Sequence, residues 1–213
     1  MKRNLLRQKP LRSKKYLNKR IFMKCVIYNK IIAVPVLLLI ISGIGFFIFM
    51  PLENTKLSEI ENPRLVVKKS ERKLEVFDGE KLAKTYRIVL GFAPEGDKAE
   101  EGDGKTPLGE FYVFTKNDKS KFYLSLGLSY PGIEDAQRGL SENLISEAEH
   151  DAIVQAVNEK RMPPQNTKLG GEIYIHGGGT EKDWTWGCMA LKDEEMKELF
   201  DAIPTGARVS ILP

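Results

Sequence analysis

From residue 63 onward, apolar residues fall into short runs rich in β-branched and aromatic side chains. Gly, Asp and Pro separate the runs, a pattern typical of β-strands joined by turns. Asp78-Gly79 lies between two of the runs and favours a tight hairpin. The predicted strands are 64–68, 72–77, 82–90, 108–115, 122–126, 172–176 and 208–212. The pattern predicts a mainly β domain.

Two further segments have the spacing of amphipathic helices. Ser146 followed by Glu149 forms a capping box ahead of one apolar face. Asp193 is placed to cap a second helix, which ends before Pro204. We interpret both apolar faces as core packing, which gives a mainly β domain with a few helices.

Residues 31–50 form a run of 20 residues without a charge. At about 1.5 Å per residue, a helix of this length spans the roughly 30 Å hydrocarbon core of a bilayer. A signal peptide is the alternative, but its apolar region is shorter and ends at small residues, whereas this run ends in FFIFM. We therefore predict a transmembrane helix at 31–50, a short polar linker at 51–62 and a folded domain at 63–213.

The charge of the chain is concentrated at its N-terminal end. Residues 1–30 contain 11 basic and no acidic residues. The other 22 of the 33 basic residues share the rest of the chain with all 29 acidic ones, for a net charge of −7. This distribution does not favour nucleic-acid binding by the domain. By the positive-inside rule, it predicts a cytoplasmic arm at 1–30, a single-pass anchor in a bacterial inner or plasma membrane, and a periplasmic or otherwise extracytoplasmic domain.

Cys188 is the only cysteine of the predicted domain, so it has no disulfide partner there. It is either a buried, inert side chain or a reactive thiol that needs a nearby base. His176 ends a predicted strand 12 positions earlier, a distance that a strand, a loop and a return strand can bridge. His150 lies between two acidic residues in a predicted helix, where we expect it to be solvated. These residues make a poor zinc set, so no metal is expected.

Glycines flank both candidate side chains. Gly177 follows His176, and Gly187 precedes Cys188. Glycine lets backbone N–H groups approach a reacting carbonyl closely, as an oxyanion site requires.

Three segments together resemble the L,D-transpeptidase catalytic domain (YkuD type) of bacterial cell-wall enzymes. Residues 104–111 (GKTPLGEF) resemble the family's T-P-x-G-x-F turn and strand, and residues 175–177 (IHG) resemble its I-H-G segment. Residues 185–189 (TWGCM) resemble its [S/T]-x-G-C signature, which follows the histidine as in the family. The resemblance covers nearly all of the predicted domain.

This resemblance implies a sandwich-like or barrel-like β fold and a two-step acyl transfer without a cofactor. Cys188 would be the nucleophile and His176 the proton acceptor and donor. The substrates would be peptidoglycan stem peptides. Their cross-linking would contribute to the building of the cell wall and to cell shape. The other site residues that the resemblance implies are Gly187 and Gly177 for oxyanion support, and Trp186 and Thr185 for substrate binding.

The chain departs from the family pattern at three of its positions. Trp186 replaces a frequent His, Gly177 stands where Ser or Thr is frequent, and Ala190 stands where Arg or Asn is usual. Residues 131–170 resemble an insertion placed to cover the site. Three alternatives stay open: an L,D-carboxypeptidase or amidase, a lipoprotein-anchoring enzyme, and a non-catalytic wall-binding scaffold in which Cys188 is structural.

Overall fold

The computed structural model describes residues 56–213, which form a mainly β domain built on one eight-stranded sheet. Its strands are Pro63–Lys68 (β1), Lys73–Asp78 (β2), Lys81–Arg87 (β3), Gly109–Ser120 (β4), Tyr123–Leu128 (β5), Tyr174–His176 (β6), Met189–Ala190 (β7) and Arg208–Leu212 (β8). Their order across the sheet is β3-β2-β1-β8-β4-β5-β6-β7. The pairs β1–β8 and β6–β7 run parallel, and the other neighbouring pairs run antiparallel.

The two ends of this sheet meet through the chain that follows β3. Val89 pairs with Ala190 of β7, with backbone N···O distances of 3.0 and 2.9 Å in the two directions. Gly91 then bridges Thr185. A Cβ on Gly91 would lie 2.1 Å from the carbonyl oxygen of Gly104, so the close approach requires glycine. These bridges connect the β7 edge to the chain beyond β3, and the sheet has the form of a half-barrel.

Three α-helices complete the domain: Ile133–Ser141 (α1), Glu147–Asn158 (α2) and Asp193–Ala202 (α3). The predicted capping box of α2 is present. The Ser146 hydroxyl accepts a hydrogen bond from the Glu149 N–H at 3.3 Å, and the Glu149 carboxylate accepts one from the Ser146 N–H at 2.8 Å. α1 was not predicted from the sequence, because its N-cap is Gly132, which offers no capping side chain to recognise.

The predicted cap of α3 was wrong by one residue. Lys192 is the N-cap, and Asp193 is the first residue of the helix. The Asp193 carboxylate instead accepts a hydrogen bond from the Gly178 N–H at 2.8 Å. Its acidic side chain therefore connects the start of α3 to the three glycines that follow β6, residues 177–179.

Every strand contributes to one apolar cluster, against which α3 packs through Met196 and Leu199. A second, smaller cluster lies within residues 131–170. It consists of Ala136, Ile145, Ile153 and Leu169. The predicted insertion thus has a small core of its own, formed mainly by α1 and α2.

Strand boundaries differ from the predicted ones where pairing rather than side-chain pattern decides them. β3 ends at Arg87 instead of residue 90, because the chain beyond it leaves β2 and pairs with β7. β4 continues to Ser120 through polar residues, because its end forms a hairpin with β5. The remaining predicted strands lie within one or two residues of the observed ones.

Residues 1–55, which hold the predicted arm, the predicted membrane helix at 31–50 and the first five residues of the predicted linker, lie outside the described residues. Within residues 56–213, none of the helices has the length and apolar character needed to cross a bilayer. A 3-10 turn at Leu57–Glu59 precedes β1, and Leu57 is 2% exposed in the main core. The packed part of the chain therefore reaches back to Leu57, before the Pro63 that the sequence pattern predicts.

We expect Phe111→Ala to destabilise the domain by about 3–5 kcal/mol, because Phe111 of β4 is 5% exposed in the main core. Urea unfolding measures this change in the free energy of unfolding. Leu82→Ala is the control. Leu82 on β3 is 48% exposed, so this variant should lose little of its free energy of unfolding. Equal midpoints for the two variants would contradict a core role for Phe111.

Candidate active site

The fold brings His176 and Cys188 onto neighbouring strands. His176 ends β6, and Cys188 directly precedes β7, which pairs with β6 in parallel. The Tyr174 N–H, two residues before His176, donates a hydrogen bond to the Cys188 sulfur at 3.4 Å. The backbone segments that carry His176 and Cys188 are therefore neighbours in the sheet.

The Cys188 side chain is partly exposed and is held by two backbone groups. Its S–H donates to the Glu172 carbonyl oxygen at 3.4 Å, and its sulfur accepts from the Tyr174 N–H, also at 3.4 Å. Burial raises the pKa of the Cys188 thiol to about 11, and the Tyr174 N–H partly opposes that increase. The negative charge of Glu172 raises this pKa further. At neutral pH the resting group is thus a thiol and not a thiolate.

The protonation of His176 follows from its hydrogen bond. Its Nδ1 lies 2.6 Å from the Gly177 carbonyl oxygen, which can only accept, so Nδ1 carries the proton. Burial lowers the pKa of His176 below the ordinary 6.5, and the bond to Gly177 partly opposes that decrease. The ring is therefore neutral near pH 7, and Nε2 holds a free lone pair.

Two aromatic side chains fix the plane of the His176 ring. Phe122 stacks on it at a centroid distance of 4.7 Å, and Trp184 meets it edge-on at 5.6 Å. His176 as a whole residue is 2% exposed. Its orientation is thus set by packing as well as by the bond to Gly177.

The turn before Cys188 is braced by Thr185. Its hydroxyl donates to the Cys188 carbonyl oxygen at 2.7 Å and accepts from the Gly187 N–H at 3.2 Å. Gly187 has φ +125°, and a Cβ there would lie 2.6 Å from the Lys105 carbonyl oxygen. Gly187 is therefore required by the backbone conformation and by the close approach of residue 105.

Gly177 is required by contact alone. A Cβ on it would lie 2.5 Å from the Asp193 carboxylate and 2.9 Å from the Phe122 carbonyl oxygen. Its N–H donates to the Leu124 carbonyl oxygen at 3.2 Å. Because the N–H groups of Gly177 and Gly187 both donate within the fold, the backbone N–H of Cys188 is the better candidate for an oxyanion donor.

Comparison with known families decides the classification. The family model of the L,D-transpeptidase catalytic domain (YkuD) matches residues 62–211. The chain belongs to this family. No curated protein matches the chain.

The solved structures that are similar to this chain include a cell-shape protein and L,D-transpeptidases. The helical cell shape determining protein Pgp2 of Campylobacter jejuni is 20% identical with a TM-score of 0.50, over 75% of this chain and 52% of its own. An L,D-transpeptidase of Xylanimonas cellulosilytica is 14% identical with a TM-score of 0.42, over 72% and 61%. L,D-transpeptidase 1 of Mycobacterium tuberculosis is 13% identical with a TM-score of 0.41, over 71% and 62%. The chain matches about half to three-fifths of the length of these structures.

The two predicted substrate-binding residues occupy different surroundings in this L,D-transpeptidase domain. Trp186 is 68% exposed, and its ring meets that of Phe92 edge-on at 4.7 Å. Thr185 is 3% exposed, and its hydroxyl is used within the turn. Contact of Trp186 with substrate stays a prediction, whereas Thr185 supports the site from within the fold.

A buried lysine that was not predicted from the sequence lies behind the turn that precedes Cys188. The Lys69 ammonium donates to the carbonyl oxygens of Gly96 and Thr106, and it is 3% exposed. The Thr106 hydroxyl in turn accepts from the Gly91 N–H at 3.1 Å and lies 3.5 Å from the Cys188 carbonyl oxygen. Burial lowers the pKa of Lys69 to about 8. Lys69 thus supports the loop on which the Cys188 turn rests.

An ion pair holds the loop between the two candidate residues. Asp183 accepts from the Arg72 guanidinium, with its shortest N···O distance 2.8 Å, and also from the Leu90 N–H at 2.9 Å. Arg72 lies in the β1–β2 turn, more than a hundred positions earlier. No local pattern in the sequence indicates such a pairing, so spacing alone could not have identified it.

Proposed function

We propose that this protein is a membrane-anchored peptidoglycan L,D-transpeptidase with Cys188 as nucleophile and His176 as proton acceptor and donor. The observation that carries the proposal is the hydrogen bond from His176 Nδ1 to the Gly177 carbonyl. It leaves Nε2 as the only ring atom able to accept the thiol proton. Family membership supports peptidoglycan as the substrate class.

In the first step, the Cys188 sulfur attacks the carbonyl carbon of the third residue of a stem tetrapeptide. The thiol proton passes to His176 Nε2. Because burial raises the pKa of Cys188 and lowers that of His176, a resting ion pair is disfavoured. Proton transfer therefore accompanies attack instead of preceding it. Collapse of the tetrahedral intermediate expels terminal D-alanine, whose nitrogen takes the proton back from His176.

In the second step, an amine of a neighbouring stem attacks the thioester carbon. His176 accepts a proton from this amine and returns it to the departing Cys188 sulfur, which restores the starting state. The product is a 3→3 cross-link. The Cys188 N–H would stabilise the oxyanion in both steps, with Gly187 and Gly177 shaping the backbone around it.

Digestion of purified peptidoglycan with the full chain in detergent tests this function. Mass analysis of the fragments should find 3→3 cross-linked stems with loss of D-alanine, absent with Cys188→Ser. Stems shortened to tripeptides without cross-links would indicate a carboxypeptidase instead. Unchanged fragments together with retained wall binding would indicate a scaffold.

We also propose that residues 31–50 anchor the domain outside the cytoplasm, because all 11 basic residues of the arm precede them. A reporter that is active only outside the cytoplasm should work when fused after Pro213. Replacing the arm's Lys and Arg residues by Gln should lower that activity. Activity only from a cytoplasmic reporter at the same position would contradict the topology.

A further inference from the structure

We propose that Gln165 is a positioning residue for the Cys188 thiol and that it acts through the backbone of Glu172. The proposal rests on the proposed function for its catalytic meaning. Its geometry, however, concerns the resting thiol, which can be measured without any turnover.

The backbone of Glu172 has an unusual conformation beside the thiol. Its carbonyl oxygen accepts the S–H of Cys188 at 3.4 Å, so the direction of this carbonyl sets where the thiol proton points. Glu172 has φ +54°, a left-handed conformation that non-glycine residues rarely adopt. Such a conformation persists only where neighbouring groups hold it.

Gln165 supplies that hold. Its Oε1 accepts from the Glu172 N–H at 2.7 Å. Its Nε2 donates to the carbonyl oxygens of Tyr130 at 2.9 Å and Pro163 at 2.8 Å. The three bonds use both ends of the amide, so the side chain can adopt only one of its two flipped orientations here.

The contact between the two segments is also close. A Cβ on Gly171 would lie 2.7 Å from the Cα and the carbonyl oxygen of Gln165, so the chain before Glu172 runs directly against Gln165. The 131–170 segment thereby reaches the nucleophile through one side-chain amide and the backbone of one residue, Glu172. This gives the predicted insertion a defined connection to the site.

A bond donated by the neutral thiol favours the thiol over the thiolate. Without Gln165, the Glu172 carbonyl is free to turn away, and the thiol loses its acceptor. The pH midpoint of Cys188 alkylation by iodoacetamide should then move downward. A midpoint lower by one pH unit raises the thiolate fraction at pH 8 about tenfold, so we expect alkylation at that pH to become about threefold to tenfold faster.

Gln165→Met is the primary variant, because it keeps the length of the side chain and removes all three bonds. Gln165→Ala is the second variant. Gln155→Met is the matched control, because Gln155 is exposed on α2 and its side-chain amide donates to the Glu159 carboxylate at 2.9 Å, away from the candidate site. Glu172→Gln separates the effect of the carboxylate charge from that of the backbone. An unchanged midpoint in folded Gln165→Met and Gln165→Ala would overturn the proposal.

A measurement on the unaltered protein covers the case in which the variants fail to fold. The Glu172 N–H should exchange slowly with solvent deuterium, although Glu172 itself is exposed, because Gln165 accepts its hydrogen bond. Rapid exchange of this amide would overturn the proposal. A lowered alkylation midpoint in the Gln165 variants, together with no transpeptidation by the unaltered protein, would support the positioning role and contradict the proposed function. The two failures are therefore distinct.

Discussion

Replacing Cys188 by Ser is expected to abolish covalent labelling of the protein by a carbapenem while leaving its thermal unfolding nearly unchanged. In the reaction, the sulfur attacks the β-lactam carbonyl and the ring opens, which leaves an adduct that intact-protein mass spectrometry detects. Serine keeps nearly the same shape, but its hydroxyl holds its proton far more tightly than a thiol. Full labelling of Cys188→Ser would place the nucleophile elsewhere.

His176→Ala should slow the same labelling by about 10²–10⁴-fold near neutral pH, the usual contribution of a general base. The matched control is His150→Ala. His150 lies on α2, where its Nδ1 is 3.0 Å from the Asp151 carboxylate, and its loss should leave labelling unchanged. A slower reaction for His150→Ala with a normal rate for His176→Ala would contradict the proposed pair.

The pH dependence of labelling distinguishes a neutral base from a preformed thiolate. In the unaltered protein, the rate should hold near pH 7 and fall as pH falls through the lowered pKa of His176, because the protonated ring accepts no proton. In His176→Ala, reaction requires the thiolate. Since burial raises the pKa of Cys188 to about 11, the residual rate should keep rising through pH 9 and 10. Parallel pH profiles for the two proteins would exclude His176 as the base.

Features that depend on adjacent residues could be predicted from the sequence. A hairpin joins β2 and β3 as expected, but its loop is shifted by one residue from the predicted Asp78-Gly79. Asp78 pairs with Lys81 and the loop is formed by the two residues between them, of which Gly79 has φ +58°. The capping box of α2 is likewise local. β7 could not be predicted, since its two residues, Met189 and Ala190, form a strand only through their pairing with β6 and Val89.

The same distinction between local and long-range features applies to the candidate site. His176 and Cys188 could be chosen from residue type and spacing, because few side chains provide a base or a nucleophile. The groups that position them could not. Lys69 bonds a backbone carbonyl oxygen 37 positions away and Gln165 a backbone N–H seven positions away, and any residue type can supply a carbonyl while any residue but proline can supply an N–H. Only the folded chain identifies which lysine and which glutamine make these contacts.

Gly187→Ala should disrupt the site both through its backbone conformation and through a close contact of the new methyl group. The backbone at φ +125° costs a non-glycine residue about 1–3 kcal/mol. The new Cβ would also lie 2.6 Å from the Lys105 carbonyl oxygen and 3.1 Å from the Ile173 side chain, so the turn must move. Because Cys188 is the next residue, a displacement of about 1 Å could lower the labelling rate about 100-fold.

Gly206→Ala separates the backbone cost from the displacement of the nucleophile. Gly206 has φ +87°, but a Cβ there meets nothing within 4 Å. It lies in the turn between α3 and β8, outside the candidate site. Both variants should therefore lose stability in urea unfolding, while only Gly187→Ala loses carbapenem labelling. If Gly206→Ala slowed labelling as much as Gly187→Ala, the loss would follow from general destabilisation, and the close contact of Gly187 with residue 105 would not be what positions Cys188.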